Sequence, residues 1–173
     1  MPTSYQSPMA GDKSKSSTFS QSKSSNLSSA NATVQNLLDG KDGHVFSIQP
    51  SETLGEAVKV LRDKRIGALM VTNGSGALTG ILSERDIVRK LAETPGQTLP
   101  QLVEEVMTST VVTCAPADTL VSVLRKMTDG RFRHMPVVAG ETLVGMITIG
   151  DVVNFRLKEL EYEALKLKQM IVG

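Results

Sequence analysis

Leu54, Ala57, Val58 and Leu61 fall at the i, i+3, i+4, i+7 spacing of one helix face. Thr53 precedes them and Glu56 lies three positions on, the sequence form of a capping box. The same spacing returns at Leu120, Val123, Leu124 and Met127. A short apolar run follows each predicted helix, at 66–71 and at 135–138. Turn residues come next, Asn73-Gly74-Ser75-Gly76 in one case and Ala139-Gly140-Glu141 in the other. A second apolar run then follows, at 78–82 and at 143–147. Two short apolar runs around a Gly-containing turn predict a hairpin. A second helix is predicted from Ser83 and again from Thr148.

The two stretches are copies of one another. Residues 45–54 align with 111–120, and the same offset carries Leu61 onto Met127, Arg65 onto Arg131 and Val71 onto Val137. With one turn residue fewer, Gly80 aligns with Gly145, Ser83 with Thr148 and Asp86 with Asp151. An internal repeat decides the architecture before any other feature. Each unit reads strand, helix, strand, strand, helix, giving an α/β (α+β) fold of two β-α-β-β-α repeats. Each unit is too small for an ample core of its own, so the two are expected to pack together. Val34, Leu37 and Leu38 read as a short helix leading into unit one. Leu102, Val103, Val106 and Met107 read as its counterpart leading into unit two. The predicted organisation is a tail at 1–33, repeat one at 34–94, a Pro- and Gly-containing linker at 95–101, repeat two at 102–156 and a C-terminal helix at 157–173.

Composition narrows the classes. Aromatic residues make up 3% of the chain and there is no Trp, so the core is aliphatic. One cysteine, Cys114, excludes an internal disulfide and suits a reducing compartment. With two histidines beside it, the composition argues against a metal site. A net charge of +1 gives no reason to expect nucleic acid. No apolar run reaches the length of a membrane-spanning helix. The tail holds eleven serines and few apolar residues, and is expected to be disordered. It is also poor in acids, as transit peptides are, but it has no Arg and no amphipathic period. The expected location is the cytoplasm.

The strand-to-helix joint carries the candidate chemistry. It reads Gly80-Ile81-Leu82-Ser83-Glu84-Arg85-Asp86 in unit one and Gly145-Met146-Ile147-Thr148-Ile149-Gly150-Asp151 in unit two. A hydroxyl residue followed three positions later by an aspartate caps a helix. The same helix start also suits an anion such as phosphate, and the two readings are compatible.

These joints, the doubled β-α-β-β-α pattern and the run Arg131-Phe132-Arg133-His134-Met135-Pro136 resemble the tandem CBS (cystathionine-β-synthase) domains, the Bateman module. The resemblance implies two repeats related by pseudo-twofold symmetry, with two clefts that bind adenosine compounds. AMP stands first; ADP, ATP, NAD(H) and S-adenosylmethionine are the other candidates. Carried over, Asp86 and Asp151 hold ribose. Ser83, Arg85, Thr148, Arg133 and His134 contact phosphate. Ser47, Ile48, Pro50, Thr113, Cys114, Ala115, Pro116, Met135 and Pro136 line the adenine pocket. Arg133-His134 align with Gly67-Ala68, and Arg85 aligns with Gly150, so the clefts are expected to differ. Which arginine serves which cleft is open. Arg65 and Arg131 are either ligand contacts or solvated arginines at a helix end. His134 is either a structural histidine or a phosphate contact.

Leu157, Leu160, Ala164, Leu167 and Ile171 form a 3-4-3-4 seam. Past residue 160 this seam is expected to meet a partner, either a second copy or a client protein. The reading that follows is a stand-alone regulatory nucleotide-binding module, homodimeric, with no catalytic residues or catalytic cofactor. Its partners are an adenosine nucleotide and an unidentified client, with no nucleic acid and no membrane. The alternative is an interaction or dimerisation module without a nucleotide.

Overall fold

A computed structural model describes residues 31–172. All but the last three residues of the Ser-rich tail lie outside the described residues. The elements run α1 (Val34–Asp39), β1 (Ser47–Ile48), α2 (Leu54–Lys64), β2 (Ala68–Thr72), β3 (Leu78–Ser83) and α3 (Glu84–Glu93). A 3₁₀ turn (Val103–Glu105) follows, then α4 (Leu120–Gly130), β4 (His134–Ala139), β5 (Thr142–Thr148) and α5 (Ile149–Val172).

Unit one contains a three-stranded sheet in the order β1-β2-β3, with β1 parallel to β2 and β2 antiparallel to β3. The hairpin closes because Asn73 Oδ1 accepts from the backbone of Ser75 and Ala77, while Gly76 takes a φ of 82°. β2 is buried on both faces: Leu69 and Val71 join the core under α2, and Ala68 and Met70 opposite them are equally buried. Unit two repeats the plan with β4 and β5. Its first strand shrinks to a single parallel bridge between Cys114 and Val137. The predicted capping box at Thr53 is half formed. Thr53 Oγ1 accepts from the Glu56 backbone, but the Glu56 carboxylate turns to Lys59, 2.6 Å away.

The leading segments exchange places. Val34 and Leu37 of α1 were expected to introduce unit one, yet they sit in the core of unit two beside Leu120, Val123 and Met127. Val103 of the 3₁₀ turn was expected to introduce unit two, and is buried in unit one with Leu54, Leu61 and Leu69. The contacts are reciprocal. Leu120 N–H donates to Ala32 O, and Leu54 N–H donates to Gln101 O, each 2.9 Å. Both are first-turn N–H groups with no partner inside their own helix, so each leader completes the other unit's helix start. Thr33 bridges Thr119, and Leu102 bridges Thr53. Leu38 covers Gly145 and Met107 covers Gly80. A Cβ on Gly80 would stand 2.5 Å from Met107 Sδ, and one on Gly145 would stand 2.9 Å from Leu38 Cδ2, which is why both strands carry glycine there. These paired contacts are what a pseudo-twofold relation between the units produces.

α5 is continuous from Ile149 to Val172, so the predicted final helix and the last helix of repeat two are one element. Val152 is in the core of unit two, whereas every residue from 160 to 172 is exposed.

Candidate functional site

Both Ser/Thr-x-x-Asp joints form reciprocal caps. Ser83 Oγ accepts from the Asp86 backbone, and Asp86 Oδ2 accepts from Ser83 N–H (2.9 Å) and from Ser83 Oγ (2.6 Å). Thr148 N–H donates to Asp151 Oδ2 (2.8 Å), and Asp151 N–H donates to Thr148 Oγ1 (3.1 Å). Each cap fixes a carboxylate at a helix start, where the N-terminal dipole favours it.

The two carboxylates meet different surroundings. Asp86 opens on a cleft of about 680 Å³ between the units. Unit one supplies Ser83, Glu84, Arg85, Asp86 and Arg89 to this cleft; unit two supplies Arg131, Arg133 and His134, with 110–112 along one side. Arg85 Nη1 donates to Arg131 O across the interface (2.9 Å). Arg131 caps α4 in the left-handed conformation, φ 55°, as Arg65 caps α2 at φ 54°. His134 lies over Gly67, where a Cβ would come within 3.2 Å of its ring. The sequence difference between the units is therefore complementary, because the imidazole of one fills the space left by the glycine of the other. Burial holds the His134 imidazole below its usual range, and Glu84 and Asp151 pull it back up.

Asp151 is occupied from within the chain. Lys41 Nζ lies 2.6 Å from Asp151 Oδ2 and donates to Met146 O at 3.0 Å. Burial works to raise the Asp151 carboxyl, but the hydrogen bonds from Lys41 and the Thr148 backbone outweigh it and hold it low. Lys41 reaches this site because α1 packs on unit two. The counterpart of Lys41 in the other leader is Thr110, which brings no charge to Asp86.

The structure thus gathers Ser83, Arg85, Asp86, Arg133 and His134 into one cleft and sets Thr148 and Asp151 apart with Lys41. The residues expected to form an adenine pocket stand outside the lining of the Asp86 cleft. Ile48, Cys114 and Met135 are core side chains, 4%, 4% and 0% exposed, and Pro136 is also buried. Ser47, Pro50, Thr113, Ala115 and Pro116 do not line the Asp86 cleft either; that wall comes from residues just before Thr113. With the first strand of unit two reduced to one bridge, 110–112 run as irregular chain along the cleft. Burial, reinforced by Asp118, pushes the Cys114 thiol up to about 11. Arg89 is the functional candidate that sequence reasoning missed. Its spacing of four from Arg85, one helical turn, was the available signal.

Comparison with known proteins agrees with this geometry. The family profile of the CBS domain matches residues 42–93 and 103–158. The chain is 31% identical over 149 residues to the CBS domain-containing protein CBSX3, mitochondrial, of Arabidopsis thaliana, covering 82% of this chain and 72% of that one. Some of the other curated relatives are longer, and the match spans 34% of one and 44% of another. A CBS-domain containing protein from Agrobacterium tumefaciens, solved as a crystal structure, superposes with a TM-score of 0.72 at 39% identity, over 75% of this chain and 97% of that one. The crystal structure of CBSX2 in complex with AMP superposes with a TM-score of 0.61 at 25% identity, over 73% and 97% of the two chains.

Proposed function

The chain belongs to the CBS-domain family, whose paired domains are regulatory modules, and from that premise we propose that it binds an adenosine nucleotide in the Asp86 cleft and reports binding to a partner. The observation that carries the reading is the composition of that cleft. A capped carboxylate and hydroxyl from one unit face Arg131, Arg133 and His134 from the other. A carboxylate accepts from the two vicinal hydroxyls of a ribose, and arginine forks match phosphate oxygens. A ligand that touches both units favours one relative packing of them. A partner that discriminates between the packings then senses the nucleotide. The similar CBSX2 was crystallised with AMP, which makes AMP the first nucleotide to titrate.

The ribose role expected at Asp151 belongs to the same proposal, with Lys41 as the group that a nucleotide there must displace. Homodimerisation through the exposed end of α5 is part of the proposal, with Leu160 52% and Leu167 60% exposed along the seam. The cytoplasm is the proposed location. Imaging of a C-terminal fluorescent fusion tests it, and import into mitochondria, the compartment in the name of the Arabidopsis relative, would overturn it.

The test of the binding reading is calorimetric titration of the full chain and its Asp86→Asn variant with AMP. Asparagine keeps an oxygen for Ser83 and loses the charge. Hydrogen bonds to a charged group contribute about 1.5–3 kcal/mol, so affinity should fall about ten- to hundred-fold. Equal affinity in the two proteins would refute the ribose assignment.

A further inference from the structure

The Asp86 cleft holds more cationic groups than one phosphate uses. Arg85, Arg89, Arg131 and Arg133 line it together, and among the described residues none of the four is in an ion pair. The cleft also holds two acids, Asp86, bonded to Ser83, and Glu84, which acts on His134. Arg85 and Arg89 are four residues apart on α3, a like-charge spacing that destabilises a helix unless an anion lies between them. The other cleft lacks this set. By the repeat alignment, Arg85, Arg89, Arg133 and His134 correspond to Gly150, Asn154, Gly67 and Ala68, leaving Arg65 opposite Arg131, while Lys41 on that side is already paired with Asp151. The cationic surplus is therefore a property of one cleft and not of the fold.

We propose that this cleft selects a nucleoside polyphosphate, a di- or triphosphate, over a monophosphate, with Arg89 and Arg131 reading the phosphates beyond the first. The proposal rests on the nucleotide-binding reading and deepens it. A terminal phosphate carries about two negative charges at neutral pH. With Asp86 and Glu84 also present the charges alone do not decide, but four guanidinium forks offer more donors than the oxygens of one phosphate use and match the longer oxygen array of a di- or triphosphate chain. The cleft, at about 680 Å³, has the size of a small-molecule site. It is too small for a protein or nucleic-acid surface, so a compact polyanion is the matching ligand.

The experiment is calorimetric titration of the full chain, without magnesium, using ATP, ADP, AMP and inorganic tripolyphosphate in turn. Arg89→Gln is run alongside, with a thermal melt to show that it folds. The proposal expects ATP or ADP to bind at least about tenfold more tightly than AMP, and Arg89→Gln to reduce that ratio about five- to tenfold. AMP binding as tightly as ATP overturns the proposal and leaves the nucleotide reading standing. Tripolyphosphate binding that weakens in Arg89→Gln, with AMP inert, supports the polyphosphate site and overturns the adenosine reading. No binding of any of the four overturns both.

Discussion

Replacing Lys41 by Met separates the charge at the closed cleft from its packing. Methionine keeps the length of the lysine stem, and only the ammonium is lost. That ammonium makes two bonds, to Asp151 Oδ2 at 2.6 Å and to Met146 O at 3.0 Å, with side chains 32% and 26% exposed at the ion pair. A hydrogen bond to a charged group contributes about 1.5–3 kcal/mol when well shielded. Partial exposure screens the pair toward the low end, and Asp151 keeps its bond from Thr148 N–H. The expected loss is about 1–2 kcal/mol, or roughly 3–8 °C in melting temperature for a protein of this size. The pH dependence is the sharper test. Lys41 helps hold the folded Asp151 carboxyl below its usual value, so the unfolded chain takes up that proton first as the solution is acidified. The pair therefore contributes fully above the ordinary carboxylate range, and the contribution is lost as pH falls through the lower folded value. Urea unfolding of the two proteins at about pH 7 and about pH 3 should give a gap at neutral pH that narrows in acid. Equal stabilities at neutral pH, or a gap of constant size, would refute the reasoning.

Other expectations can be checked with equal economy. Gly80→Ala should cost more than Gly145→Ala, about 2 against about 1 kcal/mol, because its Cβ meets the Thr108 carbonyl at 3.0 Å as well as a flexible Met107; chemical denaturation of both variants decides, and the reverse order would contradict the exchanged leaders. Burial lowers the His134 pKa, with Glu84 and Asp151 opposing it and Arg133 and Lys41 reinforcing it. A bound phosphate raises it again, so nucleotide binding should take up a proton and tighten as pH falls from about 8 to about 6. His134→Gln should lose that slope, and an unchanged slope removes His134 from the phosphate site. Leu160→Glu with Leu167→Glu should convert a dimer to a monomer in light scattering without lowering the melting temperature of the monomer fold, since both side chains are exposed; a wild-type monomer would end the dimer proposal.

Periodicity alone determined a great deal of this protein. The i, i+3, i+4, i+7 spacing placed α2 and α4, and the paired runs around Asn73-Gly74 and Gly140 placed both hairpins. The duplicated Ser/Thr-x-x-Asp joint placed two capping carboxylates. All of these are local: the signal and the structure it specifies lie within a few residues of each other. The tertiary structure decided which faces meet. Val34 and Val103 have the same apolar character, so nothing in their own neighbourhoods says that each is buried in the other unit. That exchange is settled by which helix start lacks N–H partners and which strand leaves a glycine to cover. It carries Lys41 to Asp151, 110 residues away, and leaves neutral Thr110 beside Asp86. It also brings Arg85 and Arg89 to the same cleft as Arg131, Arg133 and His134. Charge and volume complementarity between distant segments sets that cleft, because such interactions depend on separation in space, which sequence spacing does not report.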